Sequence, residues 1–191
     1  AINKPSEDFR NARFVKKAKE TLKKSSAVKI GITGSFGKTG VKELLKSMLS
    51  VSNKVIATPE SFNTPLGIAL TVKNGADADF FIAEMGAKNK GDIKELCDVV
   101  MPSVGVLTGV NSQHLESFGN EETIKKTKFE LFENLKPDGK AFFSCDNEYS
   151  VQLYEQFAGE KTLAGLNLAH HPKVYAKDVV ATNEGSSFTL V

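Results

Sequence analysis

The segment Thr33-Gly-Ser-Phe-Gly-Lys-Thr39 has the residue types and spacing that most clearly predict chemistry in this chain. Gly34 and Gly37 allow consecutive backbone N–H groups to point inward and surround phosphate oxygens. A helical pattern follows, and its N-terminus would add a partial positive charge. Lys38 would reach the β- and γ-phosphates, and the Thr39 hydroxyl would join a Mg²⁺ shell. The segment therefore predicts a phosphate-binding loop; the alternative is a glycine turn beside a solvated lysine.

This loop matches the short G-x-x-G-K-T pattern, because the longer phosphate-loop pattern would need glycine where the chain has Ile32. The predicted nucleotide-binding residues are Gly34, Ser35, Gly37, Lys38, Thr39 and Gly40.

Glu84 and His114 are two further candidates. Glu84 closes an apolar run that reads as a strand, and His114 lies in a polar loop after the next strand. In a parallel sheet both would lie at the edge that carries the phosphate loop, where a carboxylate could hold Mg²⁺. The alternatives are an exposed strand-end charge and a surface histidine.

Lys128 interrupts the apolar stripe of the helix predicted between Glu121 and Leu135. A lysine in such a stripe either extends its charged end to solvent or is held at a site where its amine is paired or modified. Periodicity alone favours the first interpretation.

Strands and helices alternate along the chain. Such alternation requires crossover connections, and it predicts an α/β fold of the P-loop type with a mostly parallel sheet and helices on both faces. Strands are predicted at 28–33, 54–58, 79–84, 104–108 and 140–144, and helices around 41–49, 93–100, 121–135 and 151–157. The apolar stripe of the second helix comprises Val41, Leu44, Leu45, Met48 and Leu49.

The two ends differ from this central part. Residues 1–26 predict a basic helix with Ser6 as its N-cap, packed on the domain rather than on a membrane surface. Residues 27–191 form the predicted domain, whose last thirty or so residues read as a small β appendage with partner strands beyond the chain end. The chain starts without Met and stops inside a strand-like run, so an excised domain is as well supported as a complete gene product.

Composition limits the classes of function. Apolar residues make up 40% and charged residues 25%, which excludes a collagen-like or disordered chain. The net charge of +2, from 25 basic and 23 acidic residues, gives no general reason to expect nucleic acid or an anionic membrane. Cys97 and Cys145 fit no metal-site spacing and indicate buried thiols in a reducing compartment. These features predict a cytoplasmic protein, or the cytoplasmic part of one.

Six segments, in this order, resemble the central ATPase domain of the Mur ligase family, in the branch that adds D-alanyl-D-alanine to a UDP-MurNAc-peptide. They are residues 32–39, 60–67, 81–86, 91–96, 111–119 and 127–132. The similarity runs from about Val28 to the end of the chain. It implies ATP-driven amide bond formation through an acyl phosphate.

The resemblance also implies roles for individual residues. Lys38 would stabilise the transferring phosphoryl group, and Thr39 with Glu84 would hold a first Mg²⁺. Glu84, His114 and Lys128 would serve a second Mg²⁺, with Lys128 carbamylated into a carboxylate-like ligand. That modification would explain a lysine in an apolar stripe. Asn63 and Thr64 would lie near the substrate and the phosphates.

Three departures from the family pattern are visible. Gly40 stands where the family usually has Thr or Ser, which would weaken helix capping at the phosphate site. The N-terminal UDP-binding domain and the C-terminal ligase domain are absent, so we expect no turnover by this chain alone. We also expect a monomer, with membrane contact only through a missing N-terminal segment. The alternative functions are a folylpolyglutamate-type amide ligase and a non-catalytic nucleotide-binding module.

Overall fold

The computed structural model of the chain describes residues 4–60, 62–73, 75–111 and 120–191, with side chains from residue 9 onward. Within these ranges eight strands form one sheet in the order β2-β3-β1-β4-β5-β6-β7-β8. The strands are β1 (Val28–Thr33), β2 (Val55–Ala57), β3 (Phe80–Glu84), β4 (Val104–Leu107), β5 (Lys140–Ser144), β6 (Glu160–Gly165), β7 (Val174–Thr182) and β8 (Gly185–Leu190). The helices are α1 (Lys4–Lys24), α2 (Lys38–Leu49), α3 (Pro65–Thr71), α4 (Asp92–Val100), α5 (Glu121–Glu133) and α6 (Glu148–Gln156), with a 3₁₀ turn at Leu168–His170.

The pairing from β2 to β7 is parallel, and only β7 and β8 are antiparallel. Strand β1 lies between β3 and β4, with Ile32 beside Glu84 and Thr33 beside Leu107. The segments that follow these three strands therefore begin at the same sheet edge, which is where ligands gather in such folds. The predicted α/β fold with a mostly parallel sheet is confirmed.

Both faces of the sheet are covered. One face carries α1, α3, α4, α5 and α6 over the larger apolar core, which includes Leu22, Ile68, Ile93, Leu131 and Phe143. On the other face α2 covers a smaller cluster centred on Ile30, Ile32 and Ile82. None of the helices described is both long enough and apolar enough to cross a membrane.

The apolar stripe predicted for α2 is only partly buried. Val41, Leu45 and Leu49 pack on the sheet, whereas Leu44 and Met48 are 65% and 71% exposed. When a single helix covers one face of a sheet, it buries only the residues that point at the strands, and these recur about every four positions. Within the described ranges nothing packs against its outer side, so the neighbouring positions face solvent.

Helix α1 also differs from its prediction. It begins at Lys4, so Ser6 lies inside the helix rather than at its N-cap. Ala18 and Leu22 are buried against α3 and α4, but Phe9 is 75% exposed. The contacts with the domain that are described for this helix thus include its C-terminal half, which agrees with a helix packed on the domain.

The C-terminal part is a continuation of the main sheet. Strand β6, which the sequence pattern did not predict, pairs in parallel with β5, and β7 then pairs with β6. The expected appendage corresponds to the β7–β8 hairpin, in which β7 also pairs with β6 of the main sheet. Helix α3 was also not predicted, because seven residues are too few to show a helical period.

Candidate functional site

The loop after β1 is packed against the loop after β4. The backbone N–H of Ser35 donates to the Gly109 carbonyl at 2.8 Å, and the Asn111 N–H donates to the Ser35 hydroxyl at 3.2 Å. A Cβ on Gly34 would lie 2.1 Å from the Thr108 hydroxyl. Glycine is therefore required at position 34 by this close approach.

Helix α2 starts directly from this loop. Its N-cap is Gly37, which has a φ of 75° and no side chain that could cap the first turn. The Lys38 ammonium bends back and donates to the Gly34 carbonyl at 2.9 Å. Burial lowers the pKa of Lys38, and the negative charge of Glu84 offsets part of that effect. The loop thus presents a helix N-terminus and a half-buried lysine at the same place, as an anion site requires.

Glu84 ends β3 beside this helix and is 2% exposed. Its Oε2 accepts a hydrogen bond from the Thr39 hydroxyl at 2.8 Å, and its Oε1 accepts from the Asn63 side-chain amide at 3.4 Å. Its backbone N–H donates to the Thr58 hydroxyl at 3.1 Å. The carboxylate is therefore held from two sides at the edge of the sheet rather than exposed at a strand end.

Asn63 and Thr64 lie in the segment before α3. The Thr64 hydroxyl caps that helix by accepting from the Gly67 N–H at 3.2 Å. The Asn63 carbonyl accepts from the Gly86 N–H at 3.3 Å, and a Cβ on Gly86 would lie 2.7 Å from the Asn63 side chain. The bare backbone at Gly86 thus allows Asn63 to approach Glu84.

Lys128 on α5 is 5% exposed, so the interpretation of a lysine that reaches solvent is wrong. Burial and the nearby positive charge of Lys38 lower the pKa of Lys128 to about 8, while Asp92 and Glu130 act in the opposite direction. His114 lies outside the described residues.

A cleft of about 560 Å³ lies at the carboxyl edge of the sheet, between the phosphate loop and Lys128. Its walls include Ser35, Lys38, Asn63, Thr64, Asp92 and Lys128. Lys88 also lines it, so three lysines face the cleft together with one aspartate. This excess of positive charge favours an anionic ligand.

The donor atoms beside the cleft fit magnesium. The Thr39 hydroxyl and the Glu84 carboxylate are neighbouring hard oxygens, and Mg²⁺ prefers one or two such ligands together with phosphate oxygens. Across the described ranges no three His, Cys, Asp or Glu side chains come together, as a zinc or iron site would need.

Two residues near the site were missed by the sequence analysis. Lys42, one turn after Lys38, is completely buried, and its ammonium lies 3.5 Å from Glu84 Oε2. Asn147 at the start of α6 accepts from the Val110 N–H at 3.0 Å and donates to the Val110 carbonyl at 2.8 Å. Lys42 lies four residues after Lys38 and three after Thr39, which places all three on one face of α2. This spacing was the only feature of the sequence that could have pointed to Lys42.

Several known proteins are similar to this chain in sequence and in fold. A UDP-N-acetylmuramoyl-tripeptide–D-alanyl-D-alanine ligase of Mycobacterium bovis is 40% identical over 119 residues, which cover 62% of this chain and 23% of that protein. The protein of the same name from Bacillus subtilis is 30% identical over 179 residues, covering 91% of the chain and 37% of the relative.

Among solved structures, the MurF ligase from Thermotoga maritima in complex with ADP superposes with a TM-score of 0.83 at 28% identity. That match covers 94% of this chain and 42% of the other, so the chain spans well under half the length of its relatives. The profile of the Mur ligase middle domain matches residues 32–191. The chain therefore belongs to the Mur ligase family, and residues 32–191 correspond to its middle domain.

Proposed function

We propose that this chain is the ATP-binding domain of a ligase that joins D-alanyl-D-alanine to a UDP-MurNAc-peptide. The contact that carries the proposal is the 2.8 Å hydrogen bond between Thr39 and Glu84, directly beside Lys38. It supplies paired oxygen ligands for Mg²⁺ next to a loop suited to phosphate. The names of the relatives support the substrates, and the ADP complex of the Thermotoga ligase supports the nucleotide.

The reaction has two steps in this proposal. A carboxylate oxygen of the UDP-MurNAc-peptide attacks the γ-phosphorus of ATP, so that ADP leaves and an acyl phosphate forms. The amine nitrogen of D-alanyl-D-alanine then attacks the acyl carbon, phosphate leaves, and the nitrogen loses a proton to solvent. Lys38 follows the γ-phosphoryl group and stabilises its charge, because phosphoryl transfer depends mainly on positioning and electrostatics.

Several residues orient these reactants. Thr39 and Glu84 would hold one Mg²⁺, and Glu84, His114 and Lys128 would serve a second one. Mg²⁺ would neutralise charge on the phosphate oxygens. Ser35 and the loop N–H groups bind phosphate, and Asn63 and Thr64 border the cleft on the substrate side.

Lys128 is proposed to be carbamylated. Its uncharged amine attacks the carbon of CO₂, a new N–C bond forms, and one proton is released to solvent. The product is an anion with oxygen atoms in a cleft that Lys38 and Lys88 also line. It would convert a buried cation into an oxygen ligand of the kind that Mg²⁺ accepts.

The whole enzyme would need parts beyond this chain. We propose residues 1–26 as an arm and 27–191 as the ATP-binding domain of a monomeric cytoplasmic ligase that uses no nucleic acid. UDP-binding and acceptor-binding domains would flank it, because the Bacillus relative is much longer than the matched segment. The chain alone would then bind nucleotide without turnover.

Calorimetric titration with a non-hydrolysable ATP analogue, with and without Mg²⁺, tests the proposal. We expect Mg²⁺-dependent binding that Lys38→Ala abolishes. Lys46→Ala, an exposed lysine on the same helix, should bind like the wild type. Absence of binding by the folded wild-type chain, or equal binding by Lys38→Ala, would contradict a phosphate site here.

Two further measurements separate the details. A ¹³C-carbamate resonance from labelled bicarbonate should disappear in Lys128→Met and persist in Lys126→Met, which removes an exposed lysine from the same helix. The full-length ligase should accept a UDP-MurNAc-peptide with D-alanyl-D-alanine. Activity only with a folate and glutamate would instead support the folylpolyglutamate-type alternative.

A further inference from the structure

Lys42 is a completely buried cation that the proposed reaction does not use. It lies on α2, one helical turn after Lys38, and its Nζ is 3.5 Å from Glu84 Oε2. That oxygen also accepts the Thr39 hydroxyl at 2.8 Å. The carboxylate proposed to hold Mg²⁺ thus already has a positive group beside the same oxygen.

Because both side chains are buried, the ion pair between Lys42 and Glu84 affects the stability of each charge. A charged group taken out of water is stable only when it is paired and hydrogen-bonded. Glu84 is 2% exposed and Lys42 is fully buried, so each provides the other with a neutralising charge inside the protein. Glu43 also lies 3.5 Å from the ammonium, but its side chain is half exposed and therefore better screened.

Lys42 also contacts the segment that carries Asn63. Its ammonium donates to the carbonyl of Glu60, a non-glycine residue with a φ of 44°. Such a backbone conformation is costly and persists where surrounding contacts hold it. Three residues later, Asn63 donates to the other oxygen of Glu84 at 3.4 Å. Lys42 thus acts on the carboxylate directly and through this turn.

We propose that Lys42 is the internal counter-ion of Glu84, a positioning residue that makes metal binding at the Thr39–Glu84 pair depend on nucleotide. The inference rests on the proposed function. Because the Lys42 charge balances that of Glu84, a divalent cation alone gains little at this carboxylate. The phosphates of a nucleotide add negative charge beside the pair, and the metal then binds with them. This dependence on nucleotide favours binding of the metal as a metal–nucleotide complex.

Binding of Mn²⁺, measured by electron paramagnetic resonance at pH 8, tests this role. We expect the wild-type chain to bind Mn²⁺ alone at least about tenfold more weakly than in the presence of a non-hydrolysable ATP analogue. Lys42→Met should bind Mn²⁺ alone about tenfold more tightly than the wild type, with a smaller gain from the analogue. A residue that only supported the fold would not raise metal affinity when it is removed.

Matched variants fix the interpretation. Lys46→Met removes a charge from the exposed side of the same helix and should leave Mn²⁺ affinity unchanged. Adding Glu84→Gln to Lys42→Met should abolish the gain, which locates the metal at this carboxylate. If Lys42→Met does not fold, Lys42→Gln provides the same comparison, since it keeps a donor for the Glu60 carbonyl and removes the charge.

The results separate this inference from the proposed function. A folded Lys42→Met or Lys42→Gln chain with unchanged or weaker Mn²⁺ affinity would overturn the counter-ion role, even where the ATP analogue binds. Equal Mn²⁺ affinities of the wild type with and without analogue would overturn it as well, without any variant. Failure of the wild type to bind the analogue would contradict the proposed nucleotide site. The Mn²⁺ affinities of the wild type and of Lys42→Met without analogue would still test the counter-ion role.

Discussion

The carboxylate of Glu130 accepts a hydrogen bond from the backbone N–H of Gly91 at 2.7 Å, across 39 residues of sequence. Its second oxygen accepts from the N–H of Lys94 at 3.0 Å. Gly91 is the N-cap of α4 and has no side chain, so a residue from α5 caps this helix instead. The same contact ties α4 to the helix that carries Lys128.

We expect Glu130→Gln to lower the free energy of unfolding by about 1–3 kcal/mol. Glu130 is buried, and glutamine would retain one acceptor but turn a donor toward the helix N-terminus. Urea denaturation measures the change, and Glu133→Gln, an exposed site on the same helix, is the control. Equal stabilities of the two variants would show that the cap contributes little.

Alanine substitutions at Gly37 in the phosphate loop and at Gly40 in α2 should change the stability of the chain in opposite directions. Gly40 is the third residue of α2, is exposed, and an added Cβ would meet nothing within 4 Å. Gly40→Ala should stabilise the chain by roughly 0.5–1 kcal/mol. Gly37 has a φ of 75°, so Gly37→Ala should destabilise it by about 1–2 kcal/mol. Thermal unfolding of both variants beside the wild type tests the pair, and a shift in the same direction would contradict it.

The parts of the fold that were predicted are those with strong local patterns. Alternation of apolar strands and amphipathic helices indicated a parallel sheet, and the sheet rule then placed the segments after β1, β3 and β4 at one edge. The structure confirms that topology. Thr39 and Glu84 meet because Ile32 is in register with Glu84, so β3 ends beside the start of α2; this follows from strand order rather than from any single residue.

The parts that were missed depend on contacts distant in sequence. In the sequence, a lysine next to Glu43 in a helix is expected to face solvent. Its burial becomes visible only when α2 is packed on the sheet. Strand β6 near the sheet edge has one buried residue and no apolar run. The outward positions of α2 look like core residues because periodicity cannot show whether a second layer covers a helix.

Cys97 predicts a pH dependence of stability. Burial, assisted by the carboxylates of Asp98 and Glu130, raises the pKa of the Cys97 thiol to about 12. In the unfolded chain a thiol loses its proton near pH 8.5, so between that pH and 12 the folded state holds more protons and stability falls as pH rises.

The expected loss from Cys97 between pH 8 and pH 10 is about 1–2 kcal/mol. Cys97→Ala changes packing at every pH but removes this slope. Cys145, whose thiol pKa burial also raises, is present in both chains and cancels in the comparison. Urea denaturation of the two proteins at both pH values measures the difference, and parallel pH profiles would show that the Cys97 thiol titrates normally.

Asn147 connects the start of α6 to the loop after β4. Besides its two hydrogen bonds to Val110, its side-chain oxygen accepts from the Ser150 N–H at 3.0 Å and so caps the helix. Val110 precedes Asn111, whose N–H donates to the Ser35 hydroxyl of the phosphate loop. We expect Asn147→Ala to destabilise the chain by about 2 kcal/mol and to weaken binding of the ATP analogue.

Asn147→Asp keeps both acceptor contacts but loses the donor to the Val110 carbonyl, so its loss of stability should be smaller than that of the alanine variant. Asn53→Ala removes one exposed hydrogen bond to the Leu49 carbonyl and should change stability by about 0.5 kcal/mol or less. Denaturation and calorimetric binding are measured on all three variants. If Asn147→Ala lost stability but bound the analogue normally, α6 would be capped by Asn147 without supporting the phosphate loop. Loss of both properties would identify Asn147 as the link between them.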